Sequence, residues 1–204
     1  MKLFILGATG GIGQHLVRLG LERGLQVTAY VRSPAKISLV HERLRVVEGD
    51  VFNAAQMGQA MTCHDVVLSS FGPLTIRSSR LRREFGRTLA AAMRKSGVSR
   101  VQVVSAAFLF PDIGLVGNLL KATLFRQMAP DMAGMEAEVS QSNLDWTLVR
   151  PPRLSNGPAR HSYRLADGGL PRGGFLISRA DVAHFMIGEA ENPSHLNQVV
   201  GVAY

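Results

Sequence analysis

MKLFILGATGGIG, residues 1–13, decides how the rest of the chain is read. Lys2–Leu6 is a short apolar run bounded by glycine, the signature of a buried strand. Glycines follow at Gly7, Gly10 and Gly13, and the next residues place Ile12, Leu16, Val17, Leu19 and Leu21 at near-helical spacing. The glycines therefore fall on a strand-to-helix turn. Such a turn aims backbone N–H groups and the positive end of a helix dipole at one spot, where a pyrophosphate is the natural occupant. Gly7 permits the sharp turn, Gly10 lets backbone approach the phosphates, and Gly13 lets helix and sheet pack closely. Thr9, Gly11 and Ile12 complete the candidate phosphate contacts. The alternative is an ordinary glycine-rich βα loop.

Downstream, apolar runs alternate with helical patterns. Strands are expected at Leu25–Arg32, Leu44–Asp50, Asp65–Gly72, Arg100–Phe110 and Leu144–Pro152, with a closing strand in NQVVGVAY at 197–204. Helices are expected from Asn53 (as N-cap) to Met61, from Arg77 to Lys95 with Gly97 closing it, from Asp131 beyond Pro130, and from Ser178 to Ala190. A glycine- and proline-rich loop runs from Pro151 to Gly174. Strands alternating with helices, and apolar on both faces, give an α/β, Rossmann-type doubly wound parallel sheet. One domain over 1–204 is expected, with roughly 151–204 capping the substrate side.

The chain is 46% hydrophobic and 19% charged, with no apolar run of the roughly 18 residues a membrane span needs. The N-terminal run flows straight into the glycine turn, unlike a secretory signal. The single cysteine, Cys63, excludes an internal disulfide, fits a reducing compartment and reads as a core residue. A cytoplasmic protein is expected. The formal charge is +8, with Arg77, Arg80, Arg82, Arg83 and Arg87 crowded together. Phe85 is the one aromatic residue among them, too few for a single-strand stacking platform, so nucleic acid is not the expected partner. A solvated helix face is the expected reading of the cluster, with a phosphate funnel or an interface as alternatives. The six histidines show no metal-ligand spacing, and no Gly-x-Ser-x-Gly elbow is present. No metal is expected, and the oligomeric state stays open.

In a doubly wound sheet the ligand lies across the carboxyl ends of the strands. After the second strand, where a carboxylate would bind the ribose hydroxyls of NAD, this chain has Arg32 and Lys36. A guanidinium can grip the 2′-phosphate of NADP, which a carboxylate would repel. NADP(H) is therefore expected, unless Arg32 is simply a surface arginine. Asp50 and Val51 stand at the adenine position after the third strand, although Asp50 also reads as a helix-entry residue. Ser70, Phe71 and Gly72 end the fourth strand beside the nicotinamide ribose. Ser105, after the fifth, faces the nicotinamide, as the candidate catalytic hydroxyl or as a ribose contact. Arg153, after the prolines of the sixth, would floor the far side of the ring.

GATGGIG at 7–13, Val31–Arg32, Gly49–Val51 and DWTLVRPP at 145–152 together resemble the atypical short-chain dehydrogenase/reductases that bind NADPH. That group includes NmrA-like and biliverdin reductase B–flavin reductase-like proteins, and AFLF at 107–110 and ISRADVAHFM at 177–186 are similar to its biliverdin/flavin reductase branch. The resemblance covers nearly the whole chain. It implies an NADPH-dependent reductase acting on a small-molecule acceptor, or an NADP-sensing regulator without turnover. The chain departs from the superfamily in lacking Tyr-x-x-x-Lys. Position 34 is proline, position 167 is aspartate, and Tyr204 ends the sequence. A planar, delocalised acceptor such as a flavin, quinone or tetrapyrrole needs no such dyad, because solvent can deliver the proton. The branch also carries Thr-Ser and histidine where this chain has Ser105–Ala106 and Arg153, so the substrate itself does not transfer. Ser178-x-x-Asp181 reads as a helix start rather than as acid/base chemistry with His184.

Overall fold

Strand β1 (Lys2–Leu6) is flanked on both sides by parallel partners, and this fixes the architecture. Leu3 pairs with Val27 of β2 (Gln26–Val31) on one edge and with Val66 of β4 (Val66–Ser69) on the other. A computed structural model describes residues 1–72, 80–114, 118–119 and 122–204. Its sheet runs β3-β2-β1-β4-β5-β6-β10-β8, with β3 at Leu44–Glu48, β5 at Arg100–Val104, β6 at Asp145–Arg150, β8 at Arg164–Asp167 and β10 at Gln198–Ala203. Every neighbouring pair is parallel except β10–β8. The order reverses at β1, so the crevice above the β1–β4 junction is the topological switch point.

Both faces of the sheet are covered, as its two-sided apolar pattern requires. Leu3 and Ile5 pack with α1 (Gly11–Glu22) and α5 (Arg179–Glu191) through Leu16, Val17, Val182 and Met186. Phe4 and Leu6 point the other way, toward α2 (Ala54–Met61), α3 (Leu81–Ser96) and α4 (Ala129–Ser140), through Met57, Phe85, Leu89 and Met135. The expected caps are in place. Asn53 and Ser178 side chains accept from the N–H of Gln56 and Asp181, and Gly97 closes α3 in the left-handed region at φ 75°.

Several expectations need correction. Strand β5 stops at Val104 rather than Phe110, and Ala107–Leu109 forms a 3₁₀ turn whose Ala107 N–H donates to the Pro151 carbonyl. The reason lies in β6, which ends at Arg150 because Pro151 and Pro152 cannot donate to a continuing ladder. The loop at 151–174 holds structure of its own: β7 (Arg153–Ser155) pairs with β9 (Leu176–Ser178) in a two-stranded sheet, and β8 joins the main sheet. Strands β7 and β8 have three or four residues and are exposed or half-buried throughout, so they leave no clear alternation. Cys63 is exposed rather than core, in left-handed backbone (φ 67°) in the tight connection between α2 and β4. Pro130 begins α4 instead of interrupting it, since the N–H it lacks has no partner in a first turn.

The arginine cluster is only partly a solvated face. Arg82 is 4% exposed, with its guanidinium 3.5 Å from the Asp131 carboxylate. Asp131 also accepts from the N–H groups of Arg82 and Arg83, so α4 caps α3, whose own N-cap residue offers no side-chain bond. Arg83 and Arg87 share Glu138 at 3.1 and 3.2 Å. Arg77 lies outside the described residues.

Candidate functional site

The carboxyl ends of β3, β2, β1, β4, β5 and β6 are consecutive across the sheet, and the candidate residues follow them in the chain. Gly7 turns the chain after β1 at φ 77°, with its α-carbon against the backbone of Ser70 and Phe71, where a Cβ would meet atoms at 2.8 Å. Ser70 completes this junction, its N–H donating to the Leu6 carbonyl and its hydroxyl lying 3.4 Å from the Gly7 carbonyl. Gly10 bonds back to Gly7 and starts α1 without any side-chain cap. Gly10 and Gly11 are exposed and Thr9 half-buried, whereas Ile12 and Gly13 are buried, so Ile12 offers the site only its main chain. Phe71 packs on Phe85 at 4.5 Å, and no described residue stands within 4 Å of a Cβ placed on Gly72.

On the far side of the turn, Arg32 and Lys36 are both exposed beyond β2, and neither side chain bonds to any described residue. Lys36 lines a cleft of about 320 Å³ with Ala8, Gln14, Arg18 and Leu39, directly beside the glycine turn. Asp50 has the geometry of the helix-entry residue that was one of its two expected readings. Its Oδ1 accepts from Phe52 N–H at 3.0 Å, as a helix-entry residue would, while the residue itself stays exposed at the end of β3. Val51 is buried in the core, leaving its main chain.

On the near side, Ser105 is 6% exposed and its N–H donates to Val149. Its buried Oγ has no partner among the described residues. Next to it opens a cavity of about 400 Å³ lined by Ala106, Phe108, Phe125, Pro152, Arg153 and Phe175, among others. Phe108 and Phe125 stack at 4.7 Å with an interplanar angle of 11°. Phe175, at the rim, is 69% exposed, and Arg153 is the one charged lining residue among those described. Adjacent strands lie about 4.8 Å apart, so Ser105, two strands from the glycine turn, is about 10 Å away from it. Arg150, at the end of β6, is held by Glu136 and lies 4.7 Å over the Phe110 ring, anchoring the prolines that form one wall.

A glycine turn that cannot carry side chains, two free cations beyond β2 and an orphaned hydroxyl two strands away fit an extended dinucleotide. A family model described as NAD(P)H-binding matches residues 7–193. The chain belongs to this NAD(P)H-binding family. The uncharacterised protein YwnB of Bacillus subtilis is 27% identical over 97% of this chain and 96% of its own. A short-chain dehydrogenase/reductase of Veillonella parvula, solved with NADP, shares the fold at TM-score 0.84 and 24% identity, over 100% of this chain and 94% of that one. ChuY of Escherichia coli O157:H7, an anaerobillin reductase, shares it at TM-score 0.81 and 22% identity, over 100% and 97%.

Some residues at the candidate site were not anticipated from the sequence. Leu170 and Phe175 reach the cavity from the region expected to cap the substrate side, though the sequence singles out neither residue, and Phe125 reaches it from the segment between β5 and α4. Arg179 reaches from the start of α5 onto Gly11. Asp181, expected only as part of a helix start, is fully buried. It accepts from the N–H groups of Arg160 and His161 and from the Ser178 and Tyr204 hydroxyls. Burial raises the Asp181 pKa, but these four donors outweigh it and hold the carboxyl below its usual range. His184 does not touch this carboxylate; its Nδ1 lies 2.9 Å from the Tyr163 hydroxyl. Among the described residues no cluster of three or more His, Cys, Asp or Glu could hold a metal, and no helix is long and apolar enough to cross a membrane.

Proposed function

We propose that this protein is an NADPH-dependent oxidoreductase that passes hydride to a planar, delocalised acceptor: a flavin, a quinone or a tetrapyrrole. The observation that carries the proposal is the apolar, aromatic-walled cavity beside the orphaned Ser105 hydroxyl. A planar ring system suits such walls, whereas a small polar ketone would leave them unfilled. ChuY, an anaerobillin reductase of the same fold, is in keeping with it.

Bound NADPH supplies the hydride, from C4 of its dihydronicotinamide ring. The chain does the rest. The N–H groups of the turn, with Gly7, Thr9, Gly10, Gly11, Ile12 and Gly13, hold the diphosphate. Arg32 and Lys36 hold the 2′-phosphate, which favours NADPH over NADH. Asp50 and the Val51 main chain flank the adenine, and Ser70, Phe71 and Gly72 flank the nicotinamide ribose. The Ser105 Oγ donates to the nicotinamide end of the cofactor or to the acceptor, the one hydroxyl we assign to the reaction path. Phe108 and Phe175 stack the acceptor, and Arg153 attracts an acidic or phosphorylated one. Holding donor and acceptor face to face supplies most of the acceleration. Solvent at the open rim supplies the proton. The region 151–204 acts as the substrate-side cap of one domain, and the setting is the cytoplasm.

Titration with NADPH and NADH, followed by absorbance at 340 nm on mixing with FMN, riboflavin or a quinone, tests the reading. NADPH is expected to bind more tightly than NADH and to be consumed when an acceptor is added. Tight NADPH binding with no oxidation by any acceptor would make the protein a cofactor sensor, and equal binding of NADH would remove the role given to Arg32.

A further inference from the structure

Arg179 stands in an electrostatically unfavourable place. It is the first residue of α5, far from the glycine turn in sequence, yet its side chain lies on Gly11, the first residue of α1. A Cβ on Gly11 would stand 2.5 Å from Arg179 Cδ and 2.7 Å from Nε. A guanidinium is thus pressed against the positive end of a helix dipole, where cations are disfavoured. The first turn of α1 has no acidic residue to offset it. The described partner of the Arg179 side chain is neutral: Asn156 Oδ1 accepts from Nη1 at 2.6 Å.

The fold builds this placement from the cap side. Strands β7 and β9 pair with Ser155 opposite Ser178, which sets the next residues of each, Asn156 and Arg179, side by side. Ser178, buried and bonded to the Asp181 N–H, fixes where α5 begins and hence where Arg179 leaves the backbone. Asn156 occupies one arm of the guanidinium, and Nε and Nη2 have no hydrogen-bond partner among the described residues. A cation against a helix start that has no side-chain cap, with a neutral partner of its own, is balanced only when an anion arrives beside both.

We propose that Arg179 is the cap's contribution to cofactor binding: it closes over the diphosphate at the glycine turn, with Asn156 as the positioning residue that aims it. This rests on the NADPH reading above. It adds that the acceptor-side cap and the phosphate site share one side chain, so the cap is ordered by the cofactor rather than independent of it.

The test compares Arg179→Met, Arg179→Lys and Asn156→Ala with the unaltered protein, using NADPH, 2′-phospho-ADP-ribose and 2′-AMP as probes. The first two carry the diphosphate; 2′-AMP keeps the 2′-phosphate and adenine without it. Arg179→Met is expected to weaken NADPH and 2′-phospho-ADP-ribose by about tenfold or more while leaving 2′-AMP unchanged. Arg179→Lys should recover part of the loss and Asn156→Ala should show a smaller one, and KM for NADPH should rise with kcat nearly constant. Unchanged NADPH affinity in Arg179→Met would overturn the proposal. So would an equal loss of 2′-AMP, which would mean a structural role. Failure of the unaltered protein to bind NADPH is a different outcome, because it removes the cofactor reading itself.

Discussion

The α-carbon of Gly13 faces the carbonyl oxygen of Gly7 so closely that a Cβ there would stand 2.0 Å from it. Helix α1 therefore leaves the sheet at a distance that only glycine permits, and this closeness directs its first N–H groups into the crevice. Gly13→Ala must push the helix away or distort the turn. The expected cost is about 1–3 kcal/mol of stability by urea unfolding, together with loss of measurable NADPH binding by fluorescence titration.

Arg32→Ala should weaken NADPH by about tenfold or more and leave NADH unaffected, because a charge-assisted bond to the 2′-phosphate is available to one cofactor only. Competitive titration measures the ratio. A similar loss for both cofactors would show that Arg32 acts on the fold rather than on the phosphate.

Arg153 and Phe175 should separate two aspects of acceptor choice. Arg153→Ser is expected to raise KM for FMN more than for riboflavin, since only FMN carries a phosphate for the guanidinium. Phe175→Ala removes a stacking face and should raise KM for both, with little effect on NADPH binding. Steady-state kinetics at saturating NADPH read both changes.

Stability should fall as the pH drops below neutrality. His184 is held below the ordinary imidazole value of 6.5, first by burial and then by His161 and Arg23, against a smaller pull from Asp181. His15 is lowered likewise, first by burial and then by Arg18 and Arg179. The unfolded chain then binds these protons more tightly than the folded one. The stability due to the neutral imidazoles is therefore complete above about pH 6.5 and declines as pH falls from there toward the lowered folded values. His184→Gln should flatten the dependence of the urea midpoint over that window. Asp181, lowered in the fold, contributes stability above about pH 3.9 that is lost only at lower pH, so acid titration separates the two.

Asp131→Ala should destabilise by about 3 kcal/mol, because it removes the carboxylate beside the buried Arg82 guanidinium and uncaps α3 together. Urea unfolding measures it. A change under about 1 kcal/mol would mean that the pair is not the link between α3 and α4.

What the sequence determined by itself was local. The glycine turn, the two-faced apolar strands and the caps at Asn53, Gly97 and Ser178 are each read within a few residues, where backbone geometry and side-chain periodicity act directly. The strand-end rule then placed Arg32, Lys36, Asp50, Ser70, Ser105 and Arg153 at the crevice, because a doubly wound sheet leaves its carboxyl ends open there. Only the tertiary structure decided the contacts between distant segments. Arg179 meets Gly11 because the β7–β9 register brings the cap over α1, Asp131 caps a helix to which it does not belong, and Phe125 and Phe175 close a cavity begun by Ala106 and Phe108. Such contacts depend on how loops close and on which residue of one strand faces which of another. Short, exposed or half-buried strands such as β7 and β8 carry no periodic pattern from which that pairing can be read.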